Sequence, residues 1–159
     1  MSRLTSTLLL WKSSRRRPTP TTNDLPKYNY QADAEGNYSF ESCEGTVIAL
    51  RYNNEFVSEI TSGQQAGVLL DQTCFYAEAG GQIYDVGFLA KTDDESTEFA
   101  VKNVQVKAGY VLHVGSVEGC LRLGDRALCT IDGVNYTSNI LLSSLTFLLT
   151  LQTLHVRSL

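Results

Sequence analysis

Gly80, Gly81 and Gln82 stand side by side within the stretch Leu70 to Leu89, LDQTCFYAEAGGQIYDVGFL, and they are the residues with which this chain could do chemistry. Two adjacent glycines carry no Cβ, so their backbone accepts positive φ and lets another molecule approach to contact distance. The Gln82 amide both donates and accepts, and Asp85 can tie the loop down by accepting backbone N–H bonds. Such a loop is suited to holding a partner closely. A hairpin turn in which the glycines serve only chain reversal accounts for the same residues. Pattern alone leaves both readings open.

Other chemistries find little support. The chain has two histidines, His113 and His155, too few for a metal hydrolase's clustered ligands. His113 sits in the strand pattern YVLHVGSV, where packing or hydrogen bonding is expected. No Ser-His-Asp or Cys-His arrangement is visible, nor any GxxxxGK[ST] or GxGxxG phosphate loop. Cys43, Cys74, Cys120 and Cys129 are spaced too irregularly for a zinc ribbon or a CxxC pair. Cys74 and Cys129 fall in apolar strand patterns, where a free thiol behaves as a small hydrophobe. Reduced structural cysteines of a cytosolic protein are therefore expected, and no catalysis by this chain alone.

The elements that must position the glycine loop are short strands. Thr46 to Tyr52 is β-rich, Asn53-Asn54 turns it, and Phe56, Val57 and Ile60 mark a return strand. Tyr38 to Phe40 and Val68 to Leu70 are further strands, and Phe88 to Lys91 pairs with Phe99 to Val106 across the acidic turn Asp93 to Glu95. Tyr110 to Val117 follows, and Arg126 to Ile131 enters through Leu123-Gly124-Asp125. Turn signals about every ten residues, with no helical period before Asp132, predict a mainly β fold. An antiparallel β-barrel is preferred to a sandwich because closure removes exposed strand edges.

With 159 residues, one sizeable core is the expectation, and charge divides the chain in three. All seventeen acidic residues lie between Asp24 and Asp132, where seven Lys and Arg leave a net charge of −10. That acidic body opposes a bulk electrostatic grip on nucleic acid, so no DNA partner is expected and any RNA contact is local. Residues 1–23 read as a disordered basic tail, with Arg15, Arg16 and Arg17 and then the extended linker Pro18 to Pro26. Leu8 to Trp11 is too short for a signal-peptide core; the Arg-, Ser- and Thr-rich composition fits a mitochondrial transit peptide as an alternative to a cytoplasmic chain. Residues 133–159 form a leucine-rich tail in which Leu141, Leu145, Leu148, Leu151 and Leu154 keep helical spacing. A packing helix is expected there and no membrane anchor, since the run is short and broken by polar residues.

Within the central stretch, Leu70-Asp71, Thr73, Phe75, Tyr76, Glu78, Gly80, Gly81, Gln82, Asp85 and Gly87 resemble the alanyl-tRNA synthetase signature LDxTxFYxExGGQxxDxG. Pro26-Lys27-Tyr28-Asn29-Tyr30 and VQVKAGYVLHV (Val104 to Val114) look like the same family's flanks, so the resemblance spans roughly residues 21–132. It implies the translation-protein-like β-barrel over residues 24–132 that joins the aminoacylation and editing halves. It also implies that Thr73, Gly80, Gly81, Gln82 and Asp85 help receive the tRNA 3′ end on its way to the editing pocket, with tRNA-Ala as the partner of the full-length enzyme.

The same family uses ATP, Mg²⁺ and Zn²⁺, yet none of these is expected on this chain. Nothing in Met1 to Pro20 resembles the ATP- and alanine-binding motifs, and Asn135 to Leu159 lacks the His-x3-His zinc pair of the editing domain. The ends read as sequence of another origin, such as an alternative exon. A fragment or splice form, unable to charge tRNA alone, is one reading. A free-standing alanyl-tRNA editing hydrolase, or its non-catalytic barrel, is the alternative, against which the missing zinc ligands speak. Peptide-release factors share the Gly-Gly-Gln tripeptide but hold it in a polar, basic loop, whereas Phe75, Tyr76, Ile83, Tyr84 and Phe88 flank it here.

Overall fold

The computed structural model describes residues 19–79 and 81–133; the expected basic tail up to Pro18 and the leucine-rich helix beyond Gly133 lie outside the described residues. Strands β1 (Tyr30–Ala32) and β2 (Tyr38–Phe40) form a hairpin, and β3 (Cys43–Tyr52) with β4 (Glu55–Val57) forms another. Next come β5 (Glu59–Thr61), β6 (Gln65–Leu70), β7 (Gly87–Lys91), β8 (Glu98–Lys107), β9 (Tyr110–Glu118), β10 (Cys120–Arg122) and β11 (Arg126–Ile131). Asn53 and Asn54 both take positive φ, 48° and 66°, the backbone that matches a tight β3–β4 turn to strand twist.

Six strands close on themselves in the order β11-β7-β8-β9-β6-β3, and β3 pairs again with β11 through Cys43↔Cys129 to Thr46↔Arg126. All the pairings are antiparallel. The expected barrel is present. Closure demands bent strands, and two bulges supply the bends. In β3 the register slips between Val47 and Ala49, and the side facing the main core passes from Val47 to Leu50. In β8 it slips between Val101 and Asn103, and the core face passes from Phe99 and Val101 to Val104. An uninterrupted strand would have kept one parity throughout.

Three expectations are corrected. Phe56, Val57 and Ile60 do not form one return strand: the chain breaks at Ser58, and Ile60 belongs to β5, which pairs with the unforeseen β10 across Leu121. Cys74 lies beyond β6 in an irregular segment rather than in a strand, although it is buried as expected. The segment after Pro18 is extended but packed against the barrel. Thr22 Oγ1 donates to Leu70 O at 2.9 Å and accepts Val111 N–H at 3.1 Å, and Tyr110 Oη donates to Thr19 O at 2.7 Å. Those bonds lie beside a second apolar cluster of Ala49, Leu69, Tyr110 and Leu112 on β3, β6 and β9. Apolar side chains on the outer sheet face need cover, so part of the expected tail belongs to the folded body.

Candidate functional site

The stretch between β6 and β7 belongs to no strand, so its backbone groups find partners outside a ladder, as Thr73 N–H does at Asn23 O, 3.0 Å away. Thr73, Cys74 and Phe75 are buried within it. Two N–H donors fix the direction of a short relay. Phe75 N–H donates to Thr73 Oγ1 at 3.2 Å, and His113 Nδ1 lies 3.0 Å from Val68 O, which can only accept. His113 is thus protonated at Nδ1, its Nε2 is an acceptor, and Thr73 Oγ1–H donates to it at 2.8 Å. Burial drives the His113 pKa down to about 4, against a smaller opposing effect of the Val68 carbonyl, and keeps the ring neutral. The Phe75 ring meets the imidazole edge-on, with centroids 5.4 Å apart. The histidine packs and hydrogen-bonds inside the barrel, as its strand pattern suggested.

After Phe75 the chain emerges toward solvent and folds back on itself. Ala79 N–H donates to Gln82 O at 3.3 Å and Gln82 N–H to Ala79 O at 3.0 Å, closing a two-residue hairpin over positions 80 and 81. Gly81 sits in that turn at φ +86°, is exposed, and among the described residues no atom lies within 4 Å of where a Cβ would stand. Gly81 therefore sits in a chain reversal, and the space beside it is open among the described residues. Gly80 itself lies outside the described residues.

Asp85 anchors the base of the hairpin. Its Oδ2 accepts Tyr76 N–H at 2.8 Å, while its own N–H donates to Tyr76 O at 3.0 Å. Burial raises its pKa to about 6, partly offset by the Tyr76 N–H. The expected role of Asp85 as a tie for the loop is what the geometry displays. Tyr76 Oη reaches Ala79 O at 3.3 Å, so one tyrosine braces both ends of the turn.

Beside the hairpin lies a cavity of roughly 110 Å³. Gln82, Asp85 and Tyr76 line one side; Lys27, Tyr28 and Tyr30 from the 3-10 turn Leu25–Tyr28 and the start of β1 line the other, with Phe40 between. Pro26 at the head of that turn presets its φ. Lys27 Nζ is 2.6 Å from Asp24 Oδ2 and lies 5.0 Å and 5.6 Å from the ring centres of Tyr28 and Tyr76. Of the expected site residues, Gln82 and Asp85 converge on this cavity and Gly81 lies on the hairpin above it. Thr73 does not reach it: buried behind Phe75, it shapes the loop from inside the barrel. The sequence pointed to Lys27, Tyr28 and Tyr30 only as a flank, though tyrosines at alternate positions after a proline turn signal rings on one side of the chain.

Cys43, Cys74, Cys120 and Cys129 are all free. Hydrogen bonds that the Cys129 thiol donates toward Cys43 and Cys74, with burial, raise its pKa, so that residue stays a protonated core thiol. Among the described residues no three His, Cys, Asp or Glu are placed to hold a metal ion. Nor is any helix among them long and apolar enough to cross a membrane.

Residues 11–134 match the family described as tRNA synthetases class II (A). The chain belongs to that family. It is 58% identical over 116 residues to the cytoplasmic alanine–tRNA ligase of Bombyx mori and 51% identical over 116 residues to that of Drosophila melanogaster, in each case 71% of this chain. With the mitochondrial alanine–tRNA ligase of Homo sapiens it shares 42% over 118 residues, 74% of this chain. The chain spans about 12% of the length of each of these relatives. As a class II (A) synthetase piece it corresponds to a fragment of an alanyl-tRNA synthetase, and the six-stranded barrel is the architecture of that fragment.

Proposed function

We propose that the chain serves as the β-barrel portion of an alanine–tRNA ligase, in which it positions the 3′ end of tRNA-Ala beside the Gly80-Gly81-Gln82 hairpin. In the full enzyme that end is delivered toward editing of mischarged tRNA, while ATP-dependent attachment of alanine belongs to parts of the ligase outside this barrel. The carrying observation is the open turn: Gly81 has empty space where a Cβ would stand, in a loop braced by Tyr76 and Asp85. A rigid turn with uncovered backbone lets an RNA end approach without reorganising the protein. Thr73 contributes by holding Phe75 and the root of the loop through His113. The matching relatives include cytoplasmic and mitochondrial ligases; the higher identity to cytoplasmic ones favours the cytoplasm.

The test is a chimera of the Bombyx mori ligase carrying residues 21–132 of this chain in place of its own segment. Gly81→Asn keeps positive φ accessible and puts a side chain into the open space. Deacylation of mischarged tRNA is expected to fall about tenfold with alanylation nearly unchanged, the cost of blocking an oriented approach. Deacylation equal to that of the unsubstituted chimera rejects the role.

A further inference from the structure

The cavity beside the hairpin is built for a flat, neutral, hydrogen-bonding ligand. Tyr28 and Tyr30 are 63% and 45% exposed, so ring surface is left open at the mouth. Across from them, the Gln82 side-chain amide has no hydrogen-bond partner among the described residues, and Tyr76 N–H is the one donor to the Asp85 carboxylate there. The single cation, Lys27, is already engaged by Asp24 at 2.6 Å. Lys27 Nζ covers part of the Tyr28 ring at 5.0 Å and Tyr30 packs on Tyr38 and Phe40 at 5.8 Å and 6.1 Å, so a ligand meets the exposed remainder of each ring and the polar edges, while the positive charge is already engaged. A phosphate gains little there, and the net charge of −10 between Asp24 and Asp132 repels an RNA backbone.

Size narrows the choice. Roughly 110 Å³ is on the scale of one planar ring system and well below the volume of sites that enclose whole drug-sized ligands. Aromatic rings hold nucleobases by stacking irrespective of sequence, and a base must be splayed out of a helix to reach such rings. The acceptor oxygens of Asp85 then discriminate: adenine and cytosine present an exocyclic amine, whereas uracil presents a carbonyl at the corresponding position.

From this convergence of Tyr28, Tyr30, Gln82 and Asp85 we infer that the cavity receives one unstacked, amino-bearing nucleobase from a single-stranded RNA end. The inference rests on the proposed positioning of a tRNA 3′ end and deepens it, by giving that end a seat between the 3-10 turn and the hairpin. Recognition comes through stacking and base-edge hydrogen bonds and only weakly through charge.

The experiment titrates the full chain with RNA hairpins whose single-stranded 3′ ends read CCA or UUU, followed by NMR shifts and repeated at two salt concentrations. The CCA end is expected to bind about fivefold or more tighter than UUU, with a salt slope of no more than about one phosphate. Tyr28→Leu with Tyr30→Leu should weaken CCA binding by about fivefold or more, the effect of losing one stacked base. Asp85→Asn, which adds a donor to the acceptor, should remove the preference for CCA over UUU. A change in preference tests the seat even where affinity has shifted for structural reasons. Equal binding by the double leucine variant and wild type, or a CCA preference unaltered in Asp85→Asn, overturns the inference. If Gly81→Asn nevertheless weakens binding in that case, the RNA lies at the turn and the positioning role survives. No binding of either RNA by the wild-type chain overturns the seat, and the chimeric ligase then decides the positioning role separately.

Discussion

Burial biases both Asp85 and His113 toward their neutral forms, which for one is the protonated form and for the other the deprotonated, so their effects on stability oppose each other. A carboxylate with its folded pKa raised to about 6 from an ordinary value near 3.9 stabilises the fold while protonated, so its contribution is lost as pH rises from about 4 to 6. A histidine with its folded pKa lowered to about 4 from about 6.5 contributes above the ordinary value, and that contribution is lost as pH falls through the same window. One proton is taken up too early and one too late, so the two slopes largely cancel. Asp85→Asn keeps an oxygen for the Tyr76 N–H and leaves His113 unopposed. Relative to wild type, its stability is expected to drop by on the order of 3 kcal/mol between pH 6.5 and pH 4, from a shift of about two pKa units. Urea denaturation at several pH values checks this, and parallel profiles for the two proteins would refute it.

At Gly115, β9 leaves no room for a side chain against β8. A Cβ there would stand 1.8 Å from the carbonyl oxygen of Ala100, a main-chain atom in the paired strand that cannot swing aside. Gly115→Ala is therefore expected to cost at least the upper end of the 1–3 kcal/mol typical of overpacking. Gly124→Ala meets open space and bears only the strain of its φ of +85°. A denaturation midpoint for Gly115→Ala no lower than that for Gly124→Ala would show that the strands can part. Strand placement was largely legible, because Phe99 and Val101, then Val104 and Val106, each keep β spacing between clear turn residues. The bulges were not, since a one-residue slip in register alters no residue type; it shows only when the partner strand is in place. Likewise β5 and β10 are three residues each, and neither has enough apolar alternation to be noticed without the other.

The β1–β2 hairpin is a soft margin of the barrel. Strands β6, β8 and β9 are each paired on both sides within the closed ring, whereas β1 and β2 pair only with each other. Amide hydrogen exchange is expected to be slowest at Val68, Leu69, Val104 and Leu112 and faster by orders of magnitude in the β1–β2 hairpin, which opens without breaking the ring. Uniform protection across all of these would mean that the hairpin and barrel open as one unit. Such a margin suits a seat whose outer wall is Tyr30 and whose inner wall, Asp85, is fixed to the barrel.

Family and fold class are legible in residue types at short spacing: the LDQTCFY–AEAGGQ–YDVG run, the alternation of apolar residues, and the turn residues between strands; for the glycines the pattern leaves a bare turn and a receiving loop undecided. Three-dimensional packing was needed to bring Lys27 and Tyr28 against Gln82 and Asp85, more than fifty residues apart in the chain, and to seat Thr73 on His113, forty residues away. Pairing of β6 with β9 sets Val68 opposite His113 and so brings Thr73, just beyond the end of β6, onto that ring. Local preference carries no information about which distant strands meet, because that is set by burying one shared core.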